Sequence, residues 1–292
     1  MRNLNKKIAS ILLIFVLVVL PFTVQVNAKP IDVIVAVIDT GADITHPVFA
    51  NRIVKPQNFT SDSYKTDVAD YNGHGTHVAG IIAAESDAKI MPLKVISPKG
   101  STVANLARAI RYAADNGADV INISLVAPKS SVTAALNDAI SYAKEKGCVL
   151  IAAVGNDGGD ISAPACLDGV IAVGAIGCVG NFYYKASFSN FDATNNKEIL
   201  YAKGERILSA YPRSLTNAFT IGTNGARYAH KSGTSMAAAN VSSVACLLKV
   251  NGSTSVDDDL LAIAYQTKGM KIIERGRIDA IIQIKASRTA DF

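Results

Sequence analysis

Hydrophobic positions after Lys29 follow two alternating patterns. Residues 33–38, 90–96, 120–123, 149–154 and 170–176 are short, largely apolar runs rich in β-branched side chains, the pattern of strands buried on both faces. Between them, Val103, Leu106, Ala107, Ile110, Ala113 and Ala114 recur at helical spacing, with Gly117 as a stop. Val132, Ala135, Leu136, Ala139, Ile140 and Ala143 repeat the pattern and end near Gly147. Strand, helix, strand in this order predicts an α/β domain with a mostly parallel central sheet and helices on both faces. Functional groups in such folds gather beyond the carboxyl ends of the strands. Asp39 and Asn156 both fall just past predicted strand ends.

The chain has 292 residues, 49% hydrophobic and 18% charged, with a formal net charge of +5. Disordered chains are poorer in apolar residues and richer in charge, so that class is excluded. No block of five or six basic residues exists to track a phosphate backbone, and no nucleic-acid partner is expected. Residues 1–28 stand apart. Arg2, Lys6 and Lys7 give a positive start, residues 8–20 are apolar except for Ser10, and Val26-Asn27-Ala28 is a small-residue cleavage pattern. This predicts a secretory signal peptide cut after Ala28. The alternative, an uncleaved anchor, needs about 20 apolar residues. The mature chain, residues 29–292, then reads as one secreted, monomeric domain without a stable membrane anchor. Arg2, Lys6 and Lys7 leave with the signal, so the basic balance of the full chain says little about partners.

Three segments could carry chemistry. The first is residues 35–41, Val-Ala-Val-Ile-Asp39-Thr-Gly41. Asp-Thr-Gly could be half of an aspartic protease, but that needs a second copy in a β-rich chain. The second is residues 72–80, with His74 and His77 three apart at a helix start. A zinc site would need a third ligand and the glutamate of an H-E-x-x-H arrangement, both missing. His77 reads as a packed helix histidine, and His74, flanked by glycines, as the general base. The third is Ser232-Gly-Thr234-Ser235-Met236-Ala-Ala-Ala239, before an apolar helix running to about Val250. Ser235 is either an N-cap or a nucleophile at a helix N-terminus.

Taken together, Asp39, His74 and Ser235 follow the chain order of the subtilisin triad. Residues 35–41, 72–80 and 233–238 closely resemble the three signature segments of the subtilisin-like serine proteases, the subtilases. Residues 109–125 resemble the helix and strand before the family's substrate-binding segment. Ala152-Ala153-Val154-Gly155-Asn156 resembles its oxyanion asparagine motif, and residues 276–280 its closing segment, so the resemblance covers nearly all of the mature chain. It implies that Ser235 attacks the scissile carbonyl, that His74 relays the proton, and that Asp39 fixes the imidazole. It also implies that Asn156 stabilises the oxyanion. Substrate backbone is expected to add as a strand between Lys99, Gly100, Ser101 and Thr102 on one side and Ser124, Leu125 and Val126 on the other. Ala153, Ser162 and Thr234 complete the expected substrate-binding set.

The chain departs from the family in several places. No propeptide domain is evident between Ala28 and the first catalytic strand, which implies unaided folding, assistance in trans or a truncated sequence. The usual calcium loop after the histidine helix is shortened to residues 84–90, and Val48 stands where a carboxylate is usual. Calcium wants six to eight oxygens, so no metal or other cofactor is expected. Asp257 to Asp259 read instead as a capping box with Ser255 and an acidic first helix turn. Ala239-Asn240 replaces Pro-His after the serine, and Val126 replaces a glycine beside the specificity pocket. That pocket is shortened between Asn156 and Pro164, with Ser162 at its floor. Asp157 or Asp160 there would favour Lys or Arg before the scissile bond, or both are solvated loop residues. Cys148 and Cys246 read as buried thiols, and Cys166 and Cys178 as too far apart to bridge. The expected activity is a secreted serine endopeptidase, degradative or precursor-maturing. The competing reading is a catalytically silent subtilase fold that binds peptides.

Overall fold

The computed structural model describes residues 32–61, 63–180, 182–216, 220–223, 225–267 and 270–273. The expected signal peptide and the closing segment, residues 276–280, lie outside the described residues. In chain order the strands are β1 (Ile34–Asp39), β2 (Gln57–Asn58), β3 (Lys89–Lys94), β4 (Val120–Ile123), β5 (Val149–Ala153), β6 (Val170–Val179), β7 (Phe182–Lys185) and β8 (Ile199–Lys203). β9 (Ile207–Tyr211), β10 (Thr220–Thr223), β11 (Ala226–Lys231), β12 (Tyr265–Thr267) and β13 (Met270–Ile272) follow. The helices are α1 (His74–Glu85), α2 (Val103–Asp115), α3 (Ala134–Glu145), α4 (Thr234–Val250) and α5 (Val256–Ile263).

The main sheet runs β12-β13-β8-β6-β5-β4-β1-β3-β2, with β7 folded back on β6. Its inner strands are parallel, and Ile38 of β1 lies opposite Ile123 of β4, which lies opposite Ala152 of β5. The carboxyl ends of these three strands therefore form one edge. Strand alternation sorts their side chains between two cores. Val35, Val37 and Ile151 face α1 and α4 together with Val78, Ile82, Met236 and Val241. Ala36, Ile38, Ile121 and Leu150 face α2 and α3 together with Leu106, Ile110, Leu136 and Ile140.

The five strands and two helices expected from hydrophobic spacing are present. α3 starts at Ala134, after Val132, because the Thr133 hydroxyl accepts the Leu136 N–H at 3.3 Å and sets the boundary. A separate three-stranded sheet, β10-β11-β9, has no counterpart among the strands expected from the sequence. One expectation is corrected. The Ser255 hydroxyl does not cap the α5 backbone but donates to the Asp258 carboxylate at 2.5 Å.

α1 joins β3 through only Ser86, Asp87 and Ala88. The carbonyls of Ala83 and Ser86 at this helix end accept the Arg52 guanidinium at 2.6 and 2.7 Å. A fixed cation thus meets the negative end of the helix dipole. All four cysteines are unpaired, and burial pushes the Cys148 and Cys246 thiols up to about 11. Among the described residues no helix is long and apolar enough to cross a membrane.

Candidate active site

Asp39 ends β1 with its side chain fully buried. Its Oδ1 accepts the Thr40 backbone N–H at 2.7 Å and His74 Nδ1–H at 2.7 Å. Among the described residues its Oδ2 has no hydrogen-bond partner. His74 is the first residue of α1, after Gly73, whose φ of 88° suits glycine. A side chain at Gly73 would also collide with the Tyr211 ring, 2.3 Å from where its Cβ would stand. Burial opposes a charge on His74, but the charge and hydrogen bond of Asp39 outweigh it and raise the imidazole above its ordinary value. Nδ1 is the protonated nitrogen facing Asp39, which leaves Nε2 as the basic one.

A second carboxylate, not singled out in the sequence, sits behind this pair. Asp70 is buried, and its Oδ1 accepts the Thr40 hydroxyl at 2.9 Å, Asn72 N–H at 3.0 Å and Gly73 N–H at 2.8 Å. Its Oδ2 accepts the Thr76 N–H at 2.9 Å and the Thr76 hydroxyl at 2.7 Å. Gly73 has no side chain with which to cap α1, so Asp70 holds the free N–H groups from the preceding loop. It ties the Asp39 turn to the helix that carries His74. The local signal was the Asx turn, a carboxylate bonding the N–H two residues on.

His77 is buried, and Nε2–H is shared between the carbonyls of Ile207 at 3.0 Å and Ala229 at 2.9 Å. Burial outweighs these bonds and lowers its pKa to about 4. It is a neutral pin between α1 and the small sheet, as expected of a packed helix histidine.

Ser235 is the second residue of α4, not its N-cap, and is buried. Its hydroxyl donates to the Ser124 carbonyl at 3.2 Å, and the Ser124 hydroxyl donates back to the Ser235 carbonyl at 3.2 Å. No hydrogen bond joins Ser235 to His74 in this resting arrangement, and catalytic bonds of this kind often form only with substrate bound. The Ser235 N–H, in the first turn of α4, has no protein acceptor among the described residues.

Asn156 is exposed in the loop after β5. Its Oδ1 accepts the Thr234 N–H at 2.8 Å and the Thr234 hydroxyl at 3.0 Å. A backbone N–H can only donate, so the amide orientation is fixed and Nδ2 keeps its protons free.

The expected substrate-binding residues divide. Leu125 and Val126 follow β4 without a backbone hydrogen bond among the described residues, and Val126 is half exposed. Ser124 is nearly buried and braces Ser235. Gly100 departs from expectation. Its N–H and C=O are both bonded to Ser97, at 2.8 and 3.1 Å, in a tight turn that its φ of 101° permits, so Ser101 is the first free position there. Thr102 caps α2 through the Asn105 N–H at 3.1 Å. Ala153 and Thr234 are buried and support the site from behind; the Thr234 hydroxyl also accepts the Gly155 N–H at 3.3 Å. Ser162 is partly exposed, and its Oγ lies 3.1 Å from where a Cβ on Gly155 would stand. Asp160 is engaged with Lys129 at 2.6 Å and with the N–H groups of Ile161 and Ala193. Asp157 is exposed.

The residues at the α1–β3 connection do not fit a calcium ion. Two of the carbonyls there already accept the Arg52 guanidinium, and Val48 packs against the core.

The Subtilase family model matches residues 31–269. A thermophilic serine proteinase of Bacillus sp. (strain AK1) is 39% identical over 236 residues, covering 76% of this chain and 53% of that protein. The chain thus spans about half the length of that relative. An intracellular serine protease of Paenibacillus polymyxa is 36% identical, covering 77% of this chain and 69% of that protein. Among solved structures, Sphericase superposes with a TM-score of 0.68 at 28% identity, covering 80% of this chain and 83% of that one.

Proposed function

Because the chain belongs to the subtilase family of serine endopeptidases, we propose that it hydrolyses peptide bonds by an Asp39/His74/Ser235 triad with an Asn156 oxyanion hole. The observation that carries this reading is the Asp39–His74 hydrogen bond of 2.7 Å at the sheet edge where Ser235 meets Ser124. Substrate binding turns the Ser235 hydroxyl from the Ser124 carbonyl towards His74 Nε2. Oγ then attacks the scissile carbonyl as Nε2 takes its proton, and Asp39 stabilises the imidazolium. The oxyanion receives the Asn156 Nδ2–H and the Ser235 N–H, with the α4 N-terminus adding its field. His74 returns the proton to the leaving amine, and water repeats the sequence on the acyl-enzyme. Retention of all four groups favours an enzyme over a silent peptide-binding fold.

The residue before the scissile bond is not selected for positive charge. Asp160 is paired with Lys129 and Asp157 is exposed to solvent, so neither carboxylate is held ready for a basic side chain. A proteome-derived peptide library incubated with the enzyme is expected to be cut with no preference for Lys or Arg before the scissile bond. Cleavage confined to Lys and Arg would contradict this assignment, and an untouched library would contradict the function itself.

Export follows from residues 1–28, although some relatives carry intracellular names. The protein also needs no calcium at the α1–β3 connection, where Arg52 supplies the cation. Incubation with EDTA should leave Tm unchanged, whereas Arg52→Met should lower it by roughly 3–10 °C through loss of two charge-assisted hydrogen bonds. Differential scanning fluorimetry separates the two. A large fall in Tm with EDTA would refute metal independence.

A further inference from the structure

Asn190 is fully buried and lies outside every segment discussed so far. Its backbone N–H donates to the Gly155 carbonyl at 3.1 Å, and its side-chain Oδ1 accepts the Asp157 N–H at 3.0 Å. These two groups belong to the peptide units on either side of Asn156. Two planes held by one residue leave the Asn156 φ and ψ little freedom, so the direction of its side chain is fixed. Oδ1 also accepts the Gly159 N–H at 3.2 Å, and Nδ2 donates to the Asp160 carbonyl at 2.9 Å. The amide orientation is unambiguous, since two N–H donors meet one end and a carbonyl meets the other.

Gly155 is shaped to receive this side chain. Its φ is 116°, and a Cβ there would stand 2.3 Å from Asn190 Nδ2. Asn190 is itself anchored through its neighbour. Ser189 Oγ accepts the Ala175 N–H of β6 at 3.0 Å, and the Ser189 N–H donates to the Ala186 carbonyl at 2.9 Å. The loop carrying Asn156 is thereby referred to the rigid sheet through Asn190, while Thr234 holds the other end of the Asn156 side chain.

We propose that Asn190 is the positioning residue of the oxyanion hole, acting on the reaction only by aiming the Asn156 amide. This rests on the assignment of Asn156 as oxyanion donor. The test is a double-mutant cycle on the full chain, with kcat, KM and Tm measured for Asn190→Ala, Asn156→Ala and both together. Asn156→Ala should lower kcat by about 10²–10³-fold, a magnitude taken from subtilisin, the type enzyme of this family. Asn190→Ala should lower kcat by about 10–100-fold with KM within about threefold, the cost of an ångström-scale misplacement. In the Asn156→Ala background the Asn190 change should cost less than about threefold. Equal losses in both backgrounds, or no loss from Asn190→Ala, would overturn the proposal. A neutral Asn156→Ala would instead overturn the donor assignment beneath it. If Asn190→Ala does not fold, Asn190→Asp serves the same cycle. It keeps the acceptor for Asp157 and Gly159, loses the donor to Asp160, and its smaller kcat loss must likewise vanish without Asn156.

Discussion

Ser235→Ala is expected to lower kcat/KM on a fluorogenic peptide by about 10⁶-fold, a magnitude measured for the same loss in subtilisin. Methyl cannot form the acyl-enzyme, and the remaining turnover comes from the oxyanion donors and from binding alone. The fall should lie in kcat, because the hydroxyl is held by the Ser124 carbonyl at 3.2 Å and is not part of the substrate-binding edge. Removing that one bond costs about 1 kcal/mol, so Tm should move by only a few degrees. A variant that unfolds near the assay temperature would show that the loss was structural. A variant that folds and retains more than a thousandth of the activity would assign the nucleophile elsewhere.

Asp39→Asn is expected to cost about 10⁴ in kcat. The amide preserves shape but can present an N–H to His74 Nδ1 and so favour the wrong tautomer. Its pH profile carries a second signature. His74 must be neutral to act as base, so activity rises as pH climbs through its pKa. Burial lowers that pKa, and the charge and hydrogen bond of Asp39 raise it further than burial lowers it. The wild-type acid limb therefore lies above the ordinary histidine value of about 6.5. Without the Asp39 charge, the limb should move to lower pH even as the maximum falls. Rates across pH 4–9 for both proteins check this; a limb that stays in place would mean another group controls it. For stability the sign reverses with the group. The raised His74 contributes stability below about pH 6.5 that is lost as pH rises through its folded value. His77, lowered to about 4, contributes stability lost as pH falls from about 6.5 towards that value.

Asp39, His74, Ser235 and Asn156 were legible because each sits in a short run of small residues at a strand or helix end. The parallel sheet was legible for a similar reason, since strands buried on both faces write continuous apolar runs. The groups that hold these four residues left fainter marks. His77 bonds carbonyls 130 and 152 residues away, and Asn190 bonds a loop about thirty residues upstream. No local spacing encodes such partners. β9 and β11 leave no regular spacing in the sequence because Ile207–Tyr211 and Ala226–Lys231 mix buried and exposed positions, and their partners are set by packing against α1. Gly100 is the opposite case. Substrate is expected to pair beside it, but Pro98 and Lys99 close a turn on Ser97 that engages its backbone N–H and C=O.

The central claim is that Ser235 is a nucleophile activated by His74. A fluorophosphonate probe tests it most directly, because phosphonylation needs an activated serine and an oxyanion hole but no knowledge of the substrate. Folded wild-type protein should gain one phosphonyl group on Ser235 (the probe mass less HF, as Oγ displaces fluoride), at a rate that falls with acidification as His74 becomes protonated, and Ser235→Ala should gain none. Unlabelled wild-type protein, or equal labelling of the Ser235→Ala variant, would contradict the account.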